Sequence, residues 1–362
     1  MFKHLLLASF SLLILNSCME NNNLNSSIDS IFKEEYKNNE PGAAVLIMKD
    51  DSVVFSKGYG IADMSTMKKI DDNTFFNIAS VSKQFSAIAT LMLHEEGKLS
   101  IEDSIVKWFP DFKADFFQKI KIKHLLSHTS GIPDSRDRSN REFVLKAKDV
   151  ESYSYIKDLK ELNFEPGTGY EYMNPTFQLL YTLVEKASGM PFEQFMHEKI
   201  FSPSNMRQTL YFEEGRVIPS MAHGYIKEEN GFKEYDYLEE SFFATKADGG
   251  IYTSVNEFIE WEKALRNYTL ISKDLTDIAH SPKITVTDLP NTSYGYGWFI
   301  EEKPGFPQKV FHTGDNGGFQ IYAARYPKQK IHYLIFANRN DKNREDLADK
   351  IDQVLKKEGW LN

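Results

Sequence analysis

Apolar positions in this chain follow a strand-like pattern near both ends and a helical pattern between them. Apolar runs at 42–48 and 52–59, with Asp50 and Asp51 between them, predict a hairpin. Short runs near the end, separated by Pro, Gly or Lys-rich turns, predict further strands at 294–301, 309–312, 319–326 and 331–338. Strands at both ends predict one sheet built from both termini.

Helical periodicity dominates the middle of the chain, and we predict a helical insertion beside the sheet at about 99–240. The clearest helices inside and outside it are predicted at 27–38, 177–188, 192–200, 256–267 and 344–358.

One further predicted helix is apolar on nearly every side, which indicates burial. It begins after Asn77 and ends near Gly97. Ser80 stands at its start, and Lys83 follows three residues later on the same face. Burial would lower the pKa of Lys83 from ~10.4, and the helix N-terminus offers N–H groups to an oxyanion. This is the arrangement of an S-x-x-K serine acyl-transfer enzyme.

The S-x-x-K spacing occurs at four other places in the chain, so it is weak evidence alone. A glycine-rich loop at 166–171 leads into Tyr172-Met173-Asn174, just before a predicted helix. Residues two apart on an extended loop point the same way. This places Tyr172 to exchange protons, and Asn174 to bind a substrate amide and hold Lys83.

A third stretch, 311–319, lies between two of the late strands. Gly314 leaves room for a ligand against the strand edge. The N–H of Asp315 is then a second oxyanion donor beside that of Ser80. His312 and Thr313 would face the leaving group or a substrate carboxylate. The alternative interpretation is a plain glycine-rich hairpin turn.

The three motifs, taken in order, resemble those of the serine β-lactamase and penicillin-binding-protein superfamily, specifically its class C β-lactamase-like branch. They are Ser80-Val81-Ser82-Lys83, Tyr172-Met173-Asn174 and His312-Thr313-Gly314, and the stretches 124–133, 249–254 and 295–298 are similar to that branch as well. The resemblance implies an α/β (α+β) sandwich, with a mainly antiparallel sheet from both chain ends, flanking helices and an inserted helical subdomain. It also implies an acyl-enzyme on Ser80, with Lys83 and Tyr172 sharing the proton transfers.

The chain departs from the β-lactamase pattern at His312, where lysine is usual, and at Met173, where serine is common. The histidine form resembles D-alanyl-D-alanine carboxypeptidases and D-aminopeptidases of the branch, and it also occurs among related esterases. Histidine is a weaker carboxylate anchor than lysine near pH 7. We therefore expect amides of D-amino acid peptides as substrates. The alternatives are an esterase or β-lactamase on the same site, and a non-catalytic penicillin- or peptide-binding sensor.

The N-terminus is predicted to lie outside the fold. A short basic start and an apolar run at 5–15 are typical of a signal peptide, here 1–17. Cys18, the only cysteine, stands where a bacterial lipobox is cleaved and lipidated; an incidental cysteine is the alternative. We expect a flexible tether at 18–26, followed by a hydrolase domain at 27–362. The protein would then be a membrane-anchored lipoprotein of the bacterial envelope, periplasmic or on the surface.

The composition, with 41% hydrophobic and 26% charged residues, is that of a globular protein. A formal net charge of -9 argues against a nucleic-acid partner. The expected partner besides the membrane is a small-molecule or peptide substrate, and no oligomeric state is indicated. His124 and His128 are four residues apart but lack the glutamate of a zinc-protease motif. We predict that they stabilise turns, and that the protein has no metal and no cofactor.

Overall fold

The computed structural model describes residues 23–134, 148–212, 217–218, 220–235 and 245–362. The predicted signal peptide and Cys18 lie outside these ranges. The strands are β1 (Ala43–Lys49), β2 (Ser52–Tyr59), β3 (Ile61–Asp63), β4 (Lys68–Lys69), β5 (Phe76–Asn77), β6 (Leu210–Tyr211), β7 (Tyr225–Glu228), β8 (Gly231–Glu234), β9 (Ile251–Thr253), β10 (Ile284–Thr285), β11 (Thr292–Tyr294), β12 (Phe299–Glu301), β13 (Lys309–Asn316), β14 (Phe319–Tyr326) and β15 (Ile331–Ala337).

The helices surround these strands. They are α1 (23–35), α2 (Lys83–Glu95), α3 (Ile122–Leu126), α4 (Asp149–Lys157), α5 (Asn174–Ser188), α6 (Phe192–Phe195), α7 (Val255–Arg266), α8 (Lys273–Ala279) and α9 (Arg344–Lys357). Single turns of 3₁₀-helix occur at Ala79–Ser82, Ile105–Lys107 and Asp115–Lys119, and a π-helical turn at Met196–Phe201 continues α6. Within the part of the chain that the structure describes, no helix is both long and apolar enough to cross a membrane.

The main sheet has eight strands in the order β10-β11-β12-β13-β14-β15-β1-β2, and all neighbours are antiparallel. The N-terminal hairpin joins the C-terminal strands through β1, which pairs with β15 from Ala43↔Ala337 to Lys49↔Ile331. The predicted antiparallel sheet from both chain ends, flanked by helices, is therefore confirmed.

Strand β1 shows how the sheet is covered on both faces. Successive side chains of a strand point to opposite faces, and here both sets are apolar and buried. Ala44 and Leu46 belong to the core that contains α2, whereas Val45 and Ile47 belong to the core that contains α1 and α9. The sheet thus lies between two helical layers, which is why β1 reads as a continuous apolar run.

Several boundaries differ from the sequence-based predictions. The strand predicted at 294–301 is the antiparallel pair β11 and β12, and β13 continues to Asn316 instead of ending at 312. Residues 23–26, predicted as part of a tether, are already helical in α1. Leu24 is fully buried with Ile28, four residues later, so the apolar face of α1 extends one turn further back.

The predicted helical region also ends earlier than 240, because β6 and the β7–β8 hairpin follow the helices. Glu229 and Asn230 form the two-residue turn between β7 and β8, and Gly231 begins β8 with φ 136°.

Helix α2 lies in the middle of the first core. Its first eleven residues, Lys83 to Leu93, are buried. Phe85 stacks on Trp261 of α7 with ring centroids 3.9 Å apart. Burial on all sides holds the start of this helix, and the residues just before it, in a fixed place.

Candidate active site

Ser80 lies in the 3₁₀ turn Ala79–Ser82, which leads directly into α2. It therefore precedes the α-helix that was predicted to carry it. Residues three apart eclipse one another in a 3₁₀-helix, so Lys83 still stands on the side of Ser80. Lys83 Nζ donates to Ser80 Oγ at 3.0 Å.

The turn before Ser80 is unusual in its backbone. Ala79 has φ 46°, in the left-handed region that non-glycine residues seldom adopt. Its N–H donates to Asn77 Oδ1 at 2.8 Å, and the N–H of Ile78 donates to Ile251 O at 3.0 Å. Such conformations persist where surrounding contacts enforce them, and they cluster at functional sites.

Lys83 is fully buried and has two further acceptors. Its Nζ donates to Asn174 Oδ1 at 2.7 Å and to Asp248 O at 2.9 Å. Together with Ser80 Oγ, these match the three N–H bonds of an ammonium group. The structure thus brings Asn174 to Lys83, as predicted from the sequence, and adds a backbone carbonyl that no motif marks.

Asn174 is the first residue of α5, and Pro175 follows it where the missing N–H costs nothing. The loop before it is held from behind by His128, whose Nδ1 accepts the N–H of Met173 at 3.1 Å. Burial, together with nearby Lys83, keeps the pKa of His128 well below its usual range. His124 Nδ1 similarly accepts the N–H of Lys121 at 3.2 Å. Each imidazole therefore binds the backbone N–H of the residue just before a helix, Lys121 before α3 and Met173 before α5.

Tyr172 lines the cleft beside Ser80. Its ring centroid lies 5.0 Å from Lys83 Nζ and 4.3 Å from the ring centroid of His128. The three predicted catalytic side chains, Ser80, Lys83 and Tyr172, thus meet at one place.

His312 is placed differently from the sequence prediction. The His312-Thr313-Gly314 motif lies within β13 and not in a turn, and His312 is only 1% exposed. Its Nδ1–H donates to Thr313 O at 2.6 Å, and Nε2 accepts from the hydroxyl of Tyr294 at 2.9 Å. Burial, with nearby Lys83, lowers the pKa of His312 to about 3.

Aromatic rings account for this burial. The ring centroids of Tyr172, Tyr294 and Phe299 lie 6.1, 5.9 and 5.1 Å from that of His312. His312 is therefore a neutral group inside the wall of the cleft, and it is not an imidazolium facing a substrate carboxylate.

Gly314 is required by a close approach of backbone to backbone. A Cβ at this position would lie 2.5 Å from Ile78 O, 3.0 Å from Ala79 Cβ and 3.2 Å from Ser80 N. The sequence predicted that Gly314 makes room for a ligand, but the space beside it is occupied by the turn that carries Ser80. Strand β13 therefore runs directly beside the Ser80 amide, which brings Asp315, the predicted second oxyanion donor, to the cleft wall.

An open cleft of ≈ 320 Å³ lies in front of Ser80. The described residues that line it are Ala79, Ser80, Tyr172, Asn174, Thr245, Asp248, Gly249, Phe299, Thr313, Asp315, Asn316 and Arg344. Thr313 and Asp315 are among the lining residues, as predicted, whereas His312 is not.

Arg344 is the one cationic side chain among these described lining residues, and sequence reasoning missed it. It is the first residue of α9 and carries no motif. Its Nη1 donates to Gly314 O at 2.6 Å and to Asp315 Oδ2 at 3.3 Å, and its Nε donates to Glu345 Oε1 at 2.9 Å. The guanidinium is thus fixed to β13 at one end of the cleft.

These groups together fit acyl transfer. A serine hydroxyl beside a lysine and a tyrosine becomes an activated nucleophile when one of the two accepts its proton, and backbone N–H groups beside it suit a developing oxyanion. Among the described residues no cluster of His, Cys, Asp or Glu is arranged to hold a metal ion.

Comparison with known proteins agrees with this geometry. The family model described as Beta-lactamase matches residues 28–356. Penicillin-binding protein 4* of Bacillus subtilis (strain 168) is 26% identical over 338 residues, covering 88% of this chain and 73% of that protein. Protein flp of Staphylococcus aureus (strain MW2) is 29% identical over 328 residues, covering 88% of this chain but 64% of that protein. The chain thus spans less than two thirds of the length of the second relative.

Solved structures are similar throughout the fold. The octameric penicillin-binding protein homologue from Pyrococcus abyssi has a TM-score of 0.79 at 26% identity, covering 93% of this chain and 77% of that chain. A penicillin-binding protein from Bacillus halodurans has a TM-score of 0.78 at 25% identity, covering 90% and 98%. The D-amino acid amidase from Ochrobactrum anthropi SV3 shares the fold with a TM-score of 0.78 at 18% identity, covering 93% and 99%. The chain belongs to the β-lactamase family and is a serine hydrolase of the β-lactamase and penicillin-binding-protein superfamily.

Proposed function

We propose that this protein is a cell-envelope hydrolase that cleaves amides of D-amino acid peptides, or related amides, through an acyl-enzyme on Ser80. The observation that carries the proposal is the 3.0 Å contact between Lys83 Nζ and Ser80 Oγ at the floor of an open cleft. In this reaction Ser80 Oγ attacks the carbonyl carbon, and the hydroxyl proton passes to the Lys83–Tyr172 pair. The N–H groups of Ser80 and Asp315 receive the oxyanion.

The second half of the reaction follows from the same groups. Collapse of the tetrahedral intermediate breaks the C–N bond, and the leaving amine takes the proton that the pair holds. Water then attacks the ester on Ser80 and releases the acid, with the same groups moving the proton back. Asn174, which accepts a hydrogen bond from Lys83 and lines the cleft, is placed to donate its amide N–H to a substrate carbonyl.

Arg344 supports a substrate that carries a carboxylate. A guanidinium stays charged at every working pH and matches carboxylate geometry. Peptides that end in a D-amino acid carry such a group, and so do penicillins. One relative is by its name a penicillin-binding protein. We therefore assign to Arg344 the carboxylate-binding role that the motif suggested for His312.

An esterase on the same site is the second candidate. The observation that favours it is the burial of His312, which removes from the cleft the cation that β-lactamases usually carry in this motif. A preference for neutral esters over carboxylate-bearing amides would support it.

The test is intact-mass measurement after incubation with a fluorophosphonate, a penicillin and a p-nitrophenyl ester, followed by peptide mapping. We expect a single adduct on Ser80 in the wild type and none in Ser80→Ala. Ser104→Ala is a matched control, because Ser104 also stands three residues before a lysine at a 3₁₀ turn. There Lys107 Nζ binds Asp103 at 2.8 Å, so we expect no activation of Ser104. Labelling of Ser80→Ala, or an unlabelled wild type, would contradict the proposal.

The envelope location is proposed on the sequence alone, since Cys18 lies outside the described residues. Several acyl chains on Cys18 would anchor the protein stably, because each buried CH₂ contributes ~0.8 kcal/mol. We expect the full-length protein in the membrane fraction and Cys18→Ala in the aqueous fraction. A wild type found wholly in the aqueous fraction would refute the lipid anchor.

A further inference from the structure

The carbonyl of Asp248, which accepts from Lys83, belongs to a short segment at 245–250 that side chains from other helices hold in place. Asp149, the first residue of α4, makes the most direct contact. Its Oδ2 accepts the N–H of Lys246 at 2.7 Å, and its Oδ1 accepts the N–H of Ala247 at 3.1 Å. The Asp149 carboxyl thus accepts hydrogen bonds from two consecutive backbone N–H groups just before Asp248.

Two more helices contact the same segment. Ser86 Oγ, one turn into α2, donates to Ala247 O at 2.5 Å. Gln178 Nε2, on α5, donates to Asp248 Oδ2 at 3.1 Å, and Ser152 of α4 donates to Gln178 Oε1. All of these side chains are buried, so water does not compete for their hydrogen bonds.

This network ties together the two groups that hold Lys83. Asn174 and Gln178 are one turn apart on α5, so they share a face of that helix. Asn174 Oδ1 binds Lys83, while Gln178 binds the residue whose carbonyl also binds Lys83. Asp149 holds the backbone on the N-terminal side of Asp248, through the Lys246 and Ala247 amides.

The Asp149 carboxyl lies in an environment that is unfavourable for a charged group. The carboxyl is only 3% exposed, and among the described residues no Lys, Arg or His forms an ion pair with it. Burial and the nearby Asp248 carboxylate raise the pKa of Asp149 well above its usual range. A buried acid without a cation is unfavourable unless hydrogen bonds compensate it, and here the compensating bonds come from the Lys246 and Ala247 amides.

We propose that Asp149 is a positioning residue for the acylation step: by gripping the Lys246 and Ala247 amides, it holds the Asp248 carbonyl on Lys83 Nζ and so sets the place of the lysine beside Ser80. The inference rests on the proposed function, because it gives that reaction a residue that never touches the substrate. Proton transfer depends steeply on this geometry, and misplacement by about 1 Å costs about 100-fold in rate.

Asp149→Asn is the decisive variant. Asparagine keeps the shape and one acceptor, but its NH₂ group faces the second backbone N–H and cannot accept from it. With a fluorophosphonate as the probe, we expect the maximal inactivation rate constant to fall about 10- to 100-fold. The half-saturating probe concentration should stay within about twofold of the wild type, since the cleft itself is intact.

Two further variants separate positioning from stability. Ser86→Ala removes the hydrogen bond that α2 donates to Ala247 O. It should therefore also lower the maximal inactivation rate constant. Asp352→Asn is the matched control: Asp352 is also a buried acid at 2% exposed, but it pairs with Lys309 in the core on the other side of the sheet. It should lower the melting temperature and leave the inactivation rate constant unchanged.

The outcomes distinguish this inference from the function on which it rests. If the wild type is not labelled, the proposed function fails and this inference falls with it. If the wild type is labelled and Asp149→Asn reacts at the same rate, the inference alone is overturned. It is also overturned if Asp352→Asn slows acylation equally, because the effect would then follow stability. Should Asp149→Asn fail to fold, an unchanged rate constant in Ser86→Ala decides against it.

Discussion

At the scale of single residues, His312 and Arg344 differ in what each offers a substrate. Both nitrogens of His312 are engaged, by Thr313 O and by the Tyr294 hydroxyl, and its low pKa keeps it neutral. Arg344 lies in the cleft wall with a permanent charge, and it pairs there with Asp315 and Glu345. The motif predicts a histidine near the site correctly, but the rings that bury it come from distant parts of the chain. Its neighbours in sequence therefore could not reveal its charge.

The pH dependence of the reaction tests this assignment. His312, with a pKa of about 3, stays neutral from pH 5 to 8. Its titration should therefore cause no rise or fall of the wild-type kcat/KM in that range. His312→Asn, which keeps a donor for Thr313 O, should give a profile of the same shape. Arg344→Gln should lower kcat/KM about 10-fold or more for a carboxylate substrate and leave a neutral ester nearly unchanged.

The measurement is a set of pH–rate profiles for the three proteins on one carboxylate substrate and one neutral ester. A limb between pH 5 and 8 that disappears in His312→Asn would show that His312 does titrate there. The assignment to Arg344 would be wrong if Arg344→Gln affected both substrates equally.

At the scale of elements, the site is made where β13 presses against the 3₁₀ turn before α2. Spacing alone places Ser80 and Lys83 together, because both a 3₁₀ turn and an α-helix bring residues three apart to one side. The strands near both ends are also predictable from the sequence, because turn residues bound their apolar runs. The Asp248 carbonyl was not predictable, because every residue has a carbonyl and only the fold decides which one meets a lysine.

Gly314→Ala tests the close approach directly. The added methyl would lie 2.5 Å from Ile78 O, so either β13 or the nucleophile turn must shift. We expect acylation of Ser80 by a fluorophosphonate to slow about 100-fold, as for a misplacement of about 1 Å.

Gly249→Ala adds the same methyl to the same cleft with its nearest contact at 3.8 Å. It should therefore react with this small probe at close to the wild-type rate. Comparable rates for the two alanine variants would mean that the contact between β13 and the turn does not determine the rate at which Ser80 is acylated.

At the scale of the whole molecule, each face of the sheet covers a buried group of charges. On one side Lys309 Nζ lies 2.8 Å from Glu301 and 3.0 Å from Asp352. On the other, Glu262 of α7 lies 3.1 Å from Arg325 Nη2 and 3.4 Å from His332 Nδ1. Taking such charges out of water costs free energy that their mutual attraction only partly returns. The stability of the protein should therefore depend on pH.

Glu262 contributes a loss of stability as pH rises above 5. Burial raises its pKa from 4.5 to about 7, against the opposing effect of Arg325. The folded state thus holds a proton that the unfolded state releases, so this stability is present below pH 4.5 and is lost as pH rises through 7. The full loss is about 3 kcal/mol. Glu262→Gln cannot ionise, so its free energy of unfolding should fall less between pH 5 and 8 than that of the wild type.

Urea unfolding at pH 5 and pH 8 measures the difference, and Glu260 on the same helix supplies a control. Hydrogen bonds from Lys263 and Asn205 outweigh desolvation and lower the pKa of Glu260, so its contribution is present at high pH and lost as pH falls. This loss occurs below pH 4.5, so Glu260→Gln should destabilise the protein about equally at pH 5 and pH 8 and keep the pH slope of the wild type. Buried His332, whose pKa is lowered to about 3, contributes a slope of opposite sign to that of Glu262 because its unfolded form titrates at ~6.5, and this contribution is common to the wild type and both variants. Equal pH slopes in Glu262→Gln and the wild type would mean that Glu262 is ionised throughout, as one half of a true ion pair with Arg325.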